Sequence, residues 1–182
     1  MSNTDTRFLI DTNVFVTSSA QYYGFSFCPG FWDLLKYAGS NSVAGSIDRI
    51  KEELTARDDE EGRETDPLSV WIRDELDPSF FRSTIDDDDV AHMQANIMRA
   101  MRKKPQYKSI ALSAFARGVD SWLMAYAHVH NMTVVTLEVS APLSLSNIKI
   151  PDVCKEFDIP CVNTFEMLEK LQHQLVLKRK SP

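Results

Sequence analysis

The chain has 182 residues, a formal net charge of −6, and a hydrophobic content of 43%. That apolar content is ordinary for a globular protein and too high for a disordered one. No apolar run approaches the roughly 20 residues of a membrane span, and the acidic balance argues against a protein that coats nucleic acid non-specifically. The length fits one domain that buries a core without staples. The opening Met1 to Arg7 carries no apolar stretch of the signal-peptide kind. Cys28, Cys154 and Cys161 are odd in number, and no two have the spacing of a zinc or redox motif. Both features point to a cytoplasmic protein with reduced thiols.

Arg7 to Asp11 is the first predicted strand. Its run Phe8-Leu9-Ile10 reads as a strand buried on both faces, as in a parallel α/β sheet. Asp11, Thr12 and Asn13 follow directly, where ligands of such sheets gather. A carboxylate there is costly to bury unless it is paired or holds a metal; the alternative is that one of these three residues simply caps the next segment. Residues 17–30 read as a loop whose rings, Tyr22, Tyr23, Phe25 and Phe27, either pack it down or offer a base-stacking surface. Phe31 to Tyr37 is a predicted short helix and Ser42-Val43-Ala44 a short second strand. Ser46 is expected to cap a helix from Ile47 to Arg57, with Ile47, Ile50 and Leu54 on one face. At about 100° per residue, Glu52 then points away from the core and Glu53 lies at its border.

Asp58 to Pro67 reads as a charged loop, Leu68 to Leu76 as a short helix, and Pro78 to Phe81 as a link. Four acids, Asp86 to Asp89, precede a helix from Val90 to Met101, where negative charge offsets the helix dipole. Arg99, Arg102, Lys103, Lys104 and Lys108 form a basic cluster, which suits either a helix C-terminus or a nucleic-acid backbone. Ser109 to Phe115 is helical, and Val119 to Asn131 is a buried helix carrying Asp120 in its first turn, as a cap or a site residue. Thr133 to Leu137 is a strand that delivers Glu138 to its carboxyl end. Ile148 to Pro151 leads into a helix from Asp152 to Phe157, and Ile159 to Val162 is an edge strand, given its proline. Thr164 caps a last helix with Phe165, Leu168 and Leu171 as its buried face, and Lys178-Arg179-Lys180 is a frayed tail. Alternating strands and helices imply a central parallel sheet with helices on both faces, a three-layer α/β/α fold.

Asp11, Glu53, Asp120 and Glu138 thus stand at strand ends and helix starts, far apart in sequence. Four carboxylates in one cleft raise each other's pKa unless a cation compensates them. An all-oxygen set suits Mg²⁺ or Mn²⁺, and such a site supports attack of metal-activated water on a phosphodiester. His128 and His130 are two apart on a helix and face different ways, so they do not chelate one ion together. There is no glycine-rich phosphate loop.

Ile10-Asp11-Thr12-Asn13-Val14-Phe15, the pair Glu53-Leu54, Asp120 to Ala127, Thr136-Leu137-Glu138 and the closing Cys161 to Glu166 together resemble the PIN-domain nucleases. The chain is most similar to their single-domain toxins of VapC type. The resemblance covers nearly all of residues 1–182, read as one domain with an insertion around 58–82. It implies that Asp11, Glu53, Asp120 and Glu138 are catalytic, with Asp11, Asp120 and Glu138 holding Mg²⁺ or Mn²⁺, and Thr12 and Asn13 orienting substrate. It further implies an RNA substrate, a protein antitoxin that occludes the cleft, and a homodimer; the absence of a membrane-length apolar run points to no membrane partner. One departure is Glu138, where the family usually has Asp. Two other readings compete: a PIN-like fold kept as a binding module, and an aspartyl-phosphate phosphatase with Asp11 as nucleophile. The phosphatase wants a second Asp two residues on, where this chain has Asn13.

Overall fold

In a computed structural model of the chain, residues 7–56 and 66–176 are described. Five short strands form one parallel sheet: β1 (Phe8–Ile10), β2 (Ala44–Ile47), β3 (Phe81–Arg82), β4 (Thr133–Val135) and β5 (Cys161–Val162). Their order is β3-β2-β1-β4-β5, and every pairing is parallel. The chain therefore steps outward from β1 through β2 and β3 on one side, then returns to the other side of β1 for β4 and β5. Right-handed crossovers put the two sets of connecting helices on opposite faces. One layer holds α1 (Thr12–Thr17), α2 (Pro29–Ser40), α3 (Asp48–Thr55) and α4 (Pro67–Asp74). The other holds α5 (Asp88–Arg102), α6 (Ser109–Arg117), α7 (Asp120–Val129) and α8 (Ile150–Glu156), with α5 packed along α7. α9 (Thr164–Leu171) follows β5. The result is the expected three-layer α/β/α fold.

The core forms where apolar runs meet. Phe8, Leu9 and Ile10 are fully buried, as are Val134 and Val135 beside them. The two strands are thus covered on both faces, as their unbroken apolar pattern requires. Ile47, Ile50 and Leu54 are all buried, which confirms the phase of α3. No described helix is long and apolar enough to cross a membrane.

Several boundaries differ from the sequence reading. A helix begins at Thr12 and runs on as a π-turn, Ser18–Tyr22, so only the stretch between Tyr23 and Cys28 of the expected loop is irregular. Two of its four rings pack, Tyr23 stacking on Phe31 and Phe25 on Trp32, each at 4.2 Å between centroids, while Tyr22 and Phe27 are exposed. The second strand is Ala44–Ile47, not Ser42 to Ala44; Ser46 lies inside it and donates its hydroxyl to the Ile10 carbonyl at 2.7 Å. Ser46 therefore does not cap α3, whose N-cap position is Ile47. Part of the expected 78–81 link is a strand, β3, preceded by a 3₁₀ turn. The last helix is capped by Asn163, in a reciprocal capping box with Glu166, and not by Thr164. Its deepest residue is Met167, and Phe165 points outward at 55% exposure. Most of the expected 58–67 loop and the Lys178-Arg179-Lys180 tail lie outside the described residues.

Candidate functional site

Reversal of strand order between β1 and β4 makes a crevice beyond their carboxyl ends, the place where open parallel sheets bind ligands. Asp11 follows β1 there, and Thr136 follows β4. Asp11 occupies the N-cap position of α1, yet its side chain accepts no capping bond. It instead accepts the Thr136 hydroxyl at 2.8 Å and is only 2% exposed. Asp120 opens α7 and likewise makes no cap. Ser121 does not cap either; its hydroxyl accepts from Gln94 at 3.1 Å. The capping explanation for both aspartates thus fails on geometry.

A cleft of about 290 Å³ is lined by Asp11, Thr12, Asn13, Glu53, Asp120 and Glu138, with Val16, Thr17 and Ile150. All six residues singled out in the sequence lie in it. Glu52 does not. Glu53 stands at the rim, where its carboxylate accepts the Thr12 hydroxyl at 3.0 Å. Glu138 is held by the Lys149 ammonium at 2.6 Å and by the Ile150 N–H at 2.8 Å. Asn13 acts as a brace between the two strand ends: its carbonyl accepts from the Leu137 N–H at 2.9 Å and its amide donates to Thr136 at 3.0 Å.

Burial first, and then the nearby Asp120 and Glu138 carboxylates, push the Asp11 carboxyl up to about 7 against the pull of the Thr136 hydrogen bond. Burial, Glu138 and Glu53 push Asp120 up to about 6, with Lys149 opposing them. In the protein alone, then, the cleft holds more negative charge than its own cations compensate.

Two residues of this site were not singled out in the sequence. Thr136 is the hub: its one hydroxyl donates to Asp11 and accepts from Asn13 and from the Glu138 N–H at 3.1 Å. A hydroxyl at the end of a buried strand is its signal. Lys149 lies eleven residues after Glu138 and gives no sequence signal. The cysteines also differ from their spacing: Cys154 and Cys161 share a thiol hydrogen bond, which raises the former and lowers the latter.

The donor set fits a hard divalent cation in kind, being carboxylate and amide or hydroxyl oxygen throughout. Among the described residues, no three His, Cys, Asp or Glu side chains are drawn into a ready ligand cluster. The reason is visible: Glu138 is turned to Lys149 and Glu53 to Thr12. Among the described residues, Glu138 alone of the four acids has a cation hydrogen-bonded to it; Asp11, Glu53 and Asp120 have none.

Fold and site together define an α/β/α protein with an acid-lined cleft at the switch point of its sheet. Residues 8–175 match the family described as "Domain of unknown function (DUF4411)", and the chain belongs to that family. No curated protein matches it.

Proposed function

We propose that the chain is a metal-dependent endoribonuclease of the PIN type that hydrolyses RNA phosphodiester bonds. The observation that carries this reading is the convergence of Asp11, Glu53, Asp120 and Glu138, from four separate segments, on one cleft where two carboxyls are held well above their ordinary range. Groups perturbed by burial plus specific like charges, in a cleft, mark functional sites more often than structural ones. Asp11 and Asp120 would hold Mg²⁺ or Mn²⁺, with Glu53 and Glu138 at its flanks; when bound, the cation supplies an acidified water and neutralises charge developing on phosphorus. Thr136 fixes the Asp11 carboxylate, Asn13 locks the two strand ends together, and Thr12 holds Glu53 at the rim, where it is placed to orient substrate or accept a proton from water. Lys149 holds the Glu138 carboxylate in place through its ammonium.

The toxin role, a protein antitoxin that covers the cleft and homodimer formation rest on the resemblance to VapC-type toxins; the cytoplasmic setting rests on the odd number and wide spacing of the cysteines. The alternative of a binding module on the same fold is separated by one assay. A mixed RNA pool incubated with the protein and Mn²⁺ is expected to be cut, and EDTA is expected to stop the cutting. Intact RNA under both conditions leaves the binding module as the better reading.

A further inference from the structure

The basic cluster at the end of α5 stands on the same edge of the molecule as the acid cleft. His130 meets Asp87 at 3.1 Å and Gln94 meets Ser121 at 3.1 Å, so α5 runs antiparallel to α7. Asp120 is then level with Ala95 and Asn96. At a rise of about 1.5 Å per residue, Arg99 to Lys103 continue roughly 5 to 10 Å beyond it, past the carboxyl ends of the strands.

A chain of depressions joins the two places. The acid cleft shares Glu138 with a groove of about 360 Å³ in which Val139 and Phe165 are exposed. That groove shares Ser140 with a hollow lined by Lys104 and Lys155. The hollow shares Lys104 and Glu156 with a further groove of about 370 Å³ lined by Arg99 and Lys103. The acids along this end are already engaged: Asp152 accepts from Ser140 and from the Ala141 N–H, and Glu156 pairs with Lys104 at 2.8 Å. Lys103 and Lys155 make no ion pair or side-chain hydrogen bond among the described residues. Unpaired cations gathered on one edge of a chain with net charge −6 call for an anionic occupant. Cations in a groove with an exposed ring beside it are the combination that binds single strands, through phosphates and stacked bases respectively.

We propose that this path is the track of a single-stranded RNA, running from the acid cleft past Phe165 to Arg99, Lys103 and Lys155. The assignment rests on the nuclease reading for the identity of its polymer, but its test does not need cleavage. Binding of a fluorescein-labelled single-stranded RNA of about 20 nucleotides is followed by anisotropy in EDTA, between about 50 and 200 mM salt. A variant carrying Arg99→Glu, Lys103→Glu and Lys155→Glu is expected to lose at least about tenfold in affinity at the lower salt, with the logarithmic salt slope reduced by about 2. The corresponding Gln variant, gentler to the fold, is expected to lose less in the same direction. Phe165→Ala is expected to weaken binding about fivefold or more with the salt slope unchanged, since stacking releases no counterions. Wild-type affinity and slope in both triple variants, or no RNA binding by the wild type, would overturn the track. If the wild type still cuts RNA with Mn²⁺ while the triple variants bind normally, the track falls, the nuclease reading stands, and the patch is left to an acidic protein surface. If RNA binds along the track and is never cut, the nuclease reading falls alone.

Discussion

At the scale of single residues, the site turns on one hydroxyl. Thr136 is 2% exposed and bonded to three groups of the cleft. Thr136→Val keeps its shape and strands those partners. The expected cost is about 1–3 kcal/mol of unfolding free energy by denaturant titration, because buried polar groups lose their partner. The hydrogen bond from Thr136 also holds Asp11 down, so its removal should move the acidic limb of the pH–rate profile toward higher pH. A variant of unchanged stability and unchanged profile would contradict the hub role. Asp11 and Asp120 are legible in the sequence because each is an isolated charge beside an apolar run, Asp11 after Phe8-Leu9-Ile10 and Asp120 before Leu123 and Met124, whereas Glu53 stands beside Glu52 and is legible through helical phase. Thr136 and Lys149 were not, because a hydroxyl is unremarkable in a strand and a lysine's partner depends on how the loop between β4 and α8 turns.

At the scale of elements, α3 gives a direct comparison. Its helical phase put Glu53, and not Glu52, toward the cleft, and that is where Glu53 lies. Glu53→Gln is therefore expected to lower RNA cleavage at least about tenfold, in line with the loss of one positioned acid–base group, while Glu52→Gln keeps wild-type rates. The reverse pattern would place the wrong face of α3 in the chemistry. β2 shows why boundaries were harder to read than faces. Ala44-Gly45-Ser46-Ile47 has little strand propensity, and its sheet position comes from close packing: a Cβ at Gly45 would stand 2.7 Å from the Phe80 carbonyl oxygen. Gly45→Ala is expected to destabilise by about 1–3 kcal/mol, since the clash is with backbone that has to move; a neutral thermal melt would refute that packing account. β3 and β5 have two residues each, too short for alternation to register. The π-turn that continues α1 gives little helix signal, because Ser18-Ser19 are poor helix formers; it packs on α1, and Ser18 is its buried residue.

At the scale of the whole molecule, the uncompensated carboxylates tie stability to pH and to metal. Asp11 and Asp120, raised to about 7 and about 6 from 3.8, hold protons in the folded state that the unfolded chain releases. The stability they contribute in acid is lost as pH rises through those values. Without metal, the wild type is expected to lose melting temperature relative to Asp11→Asn between about pH 4 and about pH 7. Mn²⁺, which on the proposed nuclease reading binds the folded state only, is expected to restore it at the higher pH and to do much less for Asp11→Asn. Equal melting curves with and without millimolar metal would count against a preformed site. The central claim is tested most directly by one comparison: wild type and Asp120→Asn on end-labelled single-stranded RNA, with Mn²⁺ and with EDTA. Asn keeps the shape of a side chain that makes no cap and removes the charge that would hold the cation. The wild type is expected to cut only with Mn²⁺, and the variant to fold normally and lose at least about a hundredfold in rate, the scale of a lost electrostatic contact at a reacting centre. Cleavage that survives EDTA, or an Asp120→Asn protein as active as wild type, would contradict the account.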